Sequence, residues 1–136
     1  MLIFFLNKDI TLSKGEIEDL LNHKQSHLKE LEHIGKGAEY FKELSDIAFL
    51  QLEIEQYAES ENNFQICLTY FKKQRDRLGE ASVLGILGVL YFKKDEHNNS
   101  ISYYQDAYEI YKKLKQKSEL ITCLKGIGNN LIKLTN

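Results

Sequence analysis

The sequence predicts an all-α chain, and three observations carry that expectation. Proline is absent from all 136 residues, where average usage of about 5% would supply roughly seven, so nothing interrupts a helix. Apolar residues recur at three- and four-residue steps, as in Ile17, Leu20, Leu21, Leu28, Leu31 and in Leu84, Leu87, Tyr91, which is the helical period and not the alternation of strands. The chain also matches itself at a spacing of 40 residues: Leu44, Leu84 and Leu124 coincide, as do Ile47, Leu87 and Ile127, each followed by the small residues Ala48, Gly88 and Gly128.

Each element follows from local chemistry. Residues 1–12 begin with the apolar run Met1 to Leu6, shorter than a secretory signal core and not preceded by a basic residue; they read as an apolar arm. Ser13 and Glu16 have the spacing of a capping box, which starts a leading helix over 13–34. Turn-forming residues at Gly35 to Gly37, Glu55 and Gln56, Asp76 to Gly79, Asp95 to Asn99 and Lys115 to Ser118 then divide the rest into helices near 38–54, 57–75, 80–94, 98–115 and 118–134, about six in all. Without proline the helix ends should be loosely defined.

Composition bounds the function. The chain is one domain long, 43% hydrophobic and 28% charged, enough to bury a core. A net charge of -2 with the signs interspersed gives no positive field for nucleic acid or an anionic membrane. No apolar run approaches the roughly 20 residues of a membrane span, and Cys67 and Cys123 stand far apart with no second thiol near either, which suits reduced, buried side chains. The expectation is a cytoplasmic protein without nucleic-acid or membrane partners and without a cofactor.

In the second helix of each pair Ser60 meets Ser100, Phe64 meets Tyr104, Cys67 meets Ala107 and Phe71 meets Tyr111. Large, small and aromatic residues in fixed order describe two helices packed on one another, with the small residues where the backbones come closest. The middle repeat, Leu84-x-x-Leu87-Gly88-x-x-Tyr91 followed by Ser100-x-x-x-Tyr104-x-x-Ala107, resembles a tetratricopeptide repeat with Leu in place of Trp. Its linker, Asp76 to Ala81, is similar to that of the longer repeats of kinesin light chains and G-protein-signalling adaptors. The resemblance covers about residues 38–134; Gln51 stands where the motif has Tyr, and residues 1–34 do not fit the register. It implies one helical repeat domain, a short right-handed superhelical array of antiparallel helix pairs, with repeat 1 over 38–75, repeat 2 over 80–115 and a lone first-type helix over 118–134.

What the family does implies a non-enzymatic protein–protein interaction module. Its groove is lined by the first helix of each pair, here by Phe49, Leu52, Ile86, Val89, Phe92, Lys93, Lys125 and Asn129, an unusually apolar wall suited to a peptide or amphipathic helix. The Lys and Asn pair that grips a terminal carboxylate in family co-chaperones occurs once, as Lys125 and Asn129, so a full clamp is missing. The last helix presents Leu124, Ile127 and Leu131 with nothing following to cover them, which predicts self-association as a homodimer. The Met1 to Leu6 arm could lie in the groove as a competitor, or pack on the leading helix. Alternatives are a regulatory sensor of a short peptide signal, and a metal- or small-molecule-binding protein using His23 and His27, four apart on one helix face with Glu30 and His33 nearby. Lys24 and Lys29 mark that face as solvated. Gly35-x-Gly37 and Gly126-x-Gly128 lack the spacing of a phosphate loop, no catalytic grouping can be assembled, and of the tyrosines Tyr104, Tyr108 and Tyr111 read as core, with Tyr103 exposed.

Overall fold

The computed structural model describes residues 11–136; most of the apolar arm, including Met1 to Leu6, lies outside the described residues. Among the described residues there are six helices and no strand: α1 (Lys14–Ile34), α2 (Ala38–Glu53), α3 (Tyr57–Lys73), α4 (Arg77–Lys93), α5 (His97–Lys113) and α6 (Lys117–Thr135). The all-α class expected from the sequence holds. None of these helices is long and apolar enough to cross a membrane.

The helix starts follow their caps. Ser13 Oγ accepts from the Glu16 N–H, and the Glu16 carboxylate accepts from the Ser13 N–H, both at 3.2 Å, the reciprocal pair that the spacing predicts. The expected break over Asp76 to Gly79 is placed differently: Asp76 caps α4 by accepting the Gly79 N–H at 2.9 Å, so the helix runs through Gly79 instead of starting after it.

The helix ends are sharp, contrary to what the missing prolines suggest. Glu55, Arg75, Asp95 and Lys115, spaced every 20 residues, are left-handed with φ of 65°, 56°, 60° and 57°. Each closes its helix with the same crossed pair of backbone bonds; at the first, Glu55 N–H donates to Leu52 O and Gln56 N–H to Gln51 O, and the other three repeat it residue for residue. This closing motif usually takes glycine at the left-handed position, and none of the four is glycine. The turn residues read from the sequence include Glu55, Asp95 and Lys115, but not Arg75, and not the left-handed conformation all four share.

The chain divides into two compact units, one ending at Cys67 and the other beginning at Leu68. In the N-terminal unit Ile17 and Leu21 of α1 pack with Ile47 and Leu50 of α2, ringed by Leu12, Leu20, Leu28 and Ile54. The α2–α3 pair is joined where Ser60 Oγ donates to Ala48 O at 2.6 Å, with Asn63 Nδ2 donating to Gln51 Oε1 at 2.8 Å.

In the C-terminal unit the same bond recurs one repeat later, Ser100 Oγ donating to Gly88 O at 2.6 Å. The Tyr104 ring lies between two glycines: a Cβ on Gly88 would meet it at 2.9 Å and one on Gly126 at 2.4 Å. The small residues are therefore what lets α4 and α6 approach the aromatic of α5. Serine and aromatic recur in the sequence because both make the helix pair.

Candidate partner-binding surface

The three first-type helices α2, α4 and α6 carry the same apolar register with unequal cover. Leu44 and Ile47 of α2 are buried, as are Leu84 and Leu87 of α4 at 5% and 0% exposure. Their counterparts in α6 stand open: Leu124 is 54% exposed and Ile127 half-buried. Leu131, in register with Tyr91, is 50% exposed, and Ile121, Ile132 and Leu134 enlarge the patch. What holds α6 in place lies on its other side, where Cys123, Gly126 and Asn130 are buried.

Asn130 was not anticipated. It occupies the register of Leu50 and Leu90, is fully buried, and is satisfied at both ends of its amide. Its Nδ2 donates to Ser100 Oγ at 2.8 Å and to Gly126 O at 2.9 Å, while its Oδ1 accepts from His97 Nδ1 at 2.8 Å. The His97 ring stands edge-on to Phe92. A fully satisfied buried amide fixes the seating of α6 on α5, since any shift leaves polar groups unpaired.

The expected groove residues divide. Phe49 and Leu52 are 4% and 1% exposed and Ile86 is 9% exposed, so these three are core side chains and offer no open wall. The cause is visible in α2, where every residue from Glu43 to Leu52 is buried; a helix covered all round has no free face to line a groove. Val89 and Phe92 on α4 are half-buried, and Lys93 on α4 with Lys125 and Asn129 on α6 is exposed. Tyr104 and Tyr111 are buried as expected, but Tyr103 is half-buried, stacked on Tyr91 with ring centres 5.2 Å apart.

The face of α1 read as solvated is instead partly turned into the protein. Lys24 is 8% exposed, with Nζ 2.7 Å from Glu43 Oε1 and 3.5 Å from Asp46 Oδ2. His27 Nδ1 bonds to the other Glu43 oxygen. Burial raises the Glu43 pKa, but hydrogen bonds and charges from Lys24 and His27 outweigh it and leave the carboxyl below its ordinary value. Asp46 lies above its ordinary value, because burial, with help from the Glu43 charge, outweighs the attraction of Lys24. Glu43 engages Nδ1 of His27, and among the described residues no three His, Cys, Asp or Glu side chains converge to hold an ion. Cys67 is pushed up to about 12 by burial and by the Asp46 charge, and Cys123 to about 11 by burial and Glu119. Both thiols are therefore protonated near neutral pH and poor nucleophiles.

A profile of the tetratricopeptide repeat matches residues 43–132, which takes in every helix from most of α2 to most of α6. The chain belongs to the tetratricopeptide repeat family. Repeats of this family are in general protein–protein interaction modules. No curated protein gives a match. The likeness of the linker to kinesin-light-chain repeats gains nothing from the profile, which matches the repeat as such.

Proposed function

We infer that this tetratricopeptide repeat chain works by binding protein, and that its principal contact surface is the open face of α6, through which it associates with a second copy of itself. The observation that carries this reading is the contrast in register: the positions buried as Leu84 and Leu87 are exposed as Leu124 and half-buried as Ile127. Burying a large apolar side chain is worth roughly 1.5–3 kcal/mol before the costs of association, so the five exposed side chains of α6 supply enough for a stable contact. A two-fold interface of α6 on α6 places the same patch on both sides and closes on itself. Val89, Phe92, Lys93, Lys125 and Asn129 form the second part of the proposal, a surface with apolar centre and polar rim for a peptide or helix segment. The chain acts without catalysis on this reading.

Sedimentation equilibrium over a range of concentrations tests it. The wild type should approach twice its 15.9 kDa, and a Leu124→Glu, Leu131→Glu variant of unchanged helicity should stay at the single-chain mass. Equal masses for the two proteins at every concentration would remove α6 as the self-association surface. A Val89→Glu, Phe92→Glu variant should dimerise like wild type, which separates the second surface from the first.

A further inference from the structure

The joint between α1 and α2 differs from each later joint in its turn, and its central contact is ionic. Gly35 stands in the 20-residue series that continues as Glu55, Arg75, Asp95 and Lys115, but at φ 135° and ψ 149°, a conformation essentially reserved for glycine. The crossed pair of bonds is missing here: Gly35 N–H donates to Leu31 O and Gly37 N–H to Gly35 O, both at 3.0 Å. A Cβ on either glycine would meet nothing within 4 Å. Residues 35–37 thus turn in open space, with two permissive glycines and no packing against their Cα atoms.

The clamp is ionic where the repeat is apolar. A spacing of 40 residues puts Lys24 in register with Phe64 and Tyr104, Glu43 with Val83 and Cys123, and Asp46 with Ile86 and Gly126. By that spacing α1 takes the place of a second-type helix, contrary to the expectation that residues 1–34 fall outside the register, and it is held at its central position by a cation between two carboxylates where the repeat carries an aromatic residue. A buried ion pair gains little over a well-packed apolar one, because each charge first gives up its water. The same site is selective, since a helix seated there must bring a cation between two apolar turns to neutralise Glu43 and Asp46. Ile17 and Leu21 supply one turn and Leu28 and Leu31 the other. When α1 lifts away, both its stripe and the carboxylates of α2 lose their partners, and the α1 of another chain restores every one of those contacts without forming a new kind.

We propose that the α2 face bearing Glu43 and Asp46 is an interaction surface for a lysine-centred amphipathic helix, and that it takes the α1 of a second copy in a swapped dimer hinged at Gly35 to Gly37. This surface uses none of the α6 residues of the proposed function, and each proposal can fail alone.

Charge reversal across two chains tests the swap. Both carry Leu124→Glu and Leu131→Glu to suppress association through α6; one adds Lys24→Glu, the other Glu43→Lys and Asp46→Lys. Neither chain can close its own clamp, whereas in a mixture both cross-chain clamps are complementary. The expected result is a 1:1 heterodimer of twice the 15.9 kDa chain mass in the mixture alone, and a mixture that stays at the single-chain mass overturns the proposal. If either reversed chain fails to fold, a fluorescent peptide of residues 13–34 is titrated into the full chain carrying only the α6 substitutions. Saturable binding that a Lys24→Glu peptide lacks supports the swap, and no binding, or equal binding of both peptides, overturns it.

Discussion

Lys24 and Tyr104 occupy the same point of the repeat in the two units of the molecule, and each is the side chain on which a helix is seated. Tyr104 presses its ring against the backbones at Gly88 and Gly126, so its hold on α4 and α6 depends on shape. Lys24 reaches two carboxylates, Glu43 at 2.7 Å and Asp46 at 3.5 Å, so its hold depends on charge. Shape tolerates no added atom, while charge tolerates no lost partner. The same repeat geometry can thus be closed by either kind of contact, and the two respond to different substitutions.

The largest expected effect is in the N-terminal unit. Lys24→Ala leaves Glu43 and Asp46 buried against one another and should cost about 3–5 kcal/mol, the usual result of removing one member of a buried ion pair, read by urea unfolding. Replacing the whole cluster reverses the sign. Lys24→Phe with Glu43→Val and Asp46→Ile installs the residues that the next repeat carries as Phe64, Val83 and Ile86, and should be neutral or stabilising by about 1–4 kcal/mol. A triple variant less stable than Lys24→Ala would break the equivalence of the two sites.

In the C-terminal unit the effects follow from space. Gly126→Ala drives a Cβ into the Tyr104 ring and should cost about 1–3 kcal/mol by overpacking. Gly128→Ala, two residues on in the same helix with nothing within 4 Å, should gain about 0.5–1 kcal/mol from helix propensity. Thermal melts of both variants check the pair, and two changes of the same sign would contradict the assigned role of Gly126.

The joints offer a smaller contrast. Lys115→Gly relieves a left-handed lysine and should gain about 0.5–1 kcal/mol, the strain of about 1–2 kcal/mol less the entropy of the added glycine. Gly35→Ala, at φ 135°, should lose about 1–3 kcal/mol. Matched unfolding curves of the two variants measure both.

The smallest effect is on pH dependence. Glu43, held below its ordinary value in the folded protein, adds stability that is present above the unfolded pKa and lost as pH falls through the folded one. Asp46, held above its ordinary value, works the other way, because the folded state takes up its proton first. Asp46→Asn should therefore steepen the loss of stability between about pH 5 and 3, and Glu43→Gln should flatten it. Melting temperatures across that range give the sign of each.

Much of the fold was legible because the repeat writes its packing into residue size. Ser60 and Ser100 align in the sequence, and each donates to the carbonyl of its aligned small residue, Ala48 or Gly88; Phe64 and Tyr104 align likewise, and both are buried. The capping box of α1 was legible for a similar reason, two residues at a spacing with one geometric use. The breaks at Glu55, Asp95 and Lys115 were legible as turns, but their shared left-handed conformation was not, since Glu and Lys do not mark it, and Arg75 fell inside the helix expected over 57–75. The charged cluster was hidden because Lys24 reads as solvated wherever it occurs, and only its register with Phe64 betrays its burial. Phe49, Leu52 and Ile86 were misassigned to an open wall because helices apolar on several sides do not reveal in sequence which side is covered. The exposure of Leu124 and Leu131 was readable for the converse reason: with Ile127 they repeat a register already satisfied elsewhere.

Amide hydrogen exchange of the wild-type chain at low and high concentration tests most directly the claim that one register is closed in α4 and used for association in α6. Exchange across Leu84 to Leu90 should be slow and independent of concentration, while that across Leu124 to Leu131 should slow as the chains associate. Equal protection of α6 at both concentrations in a sample whose mass has doubled would contradict the account, since the dimer would then be built on another surface.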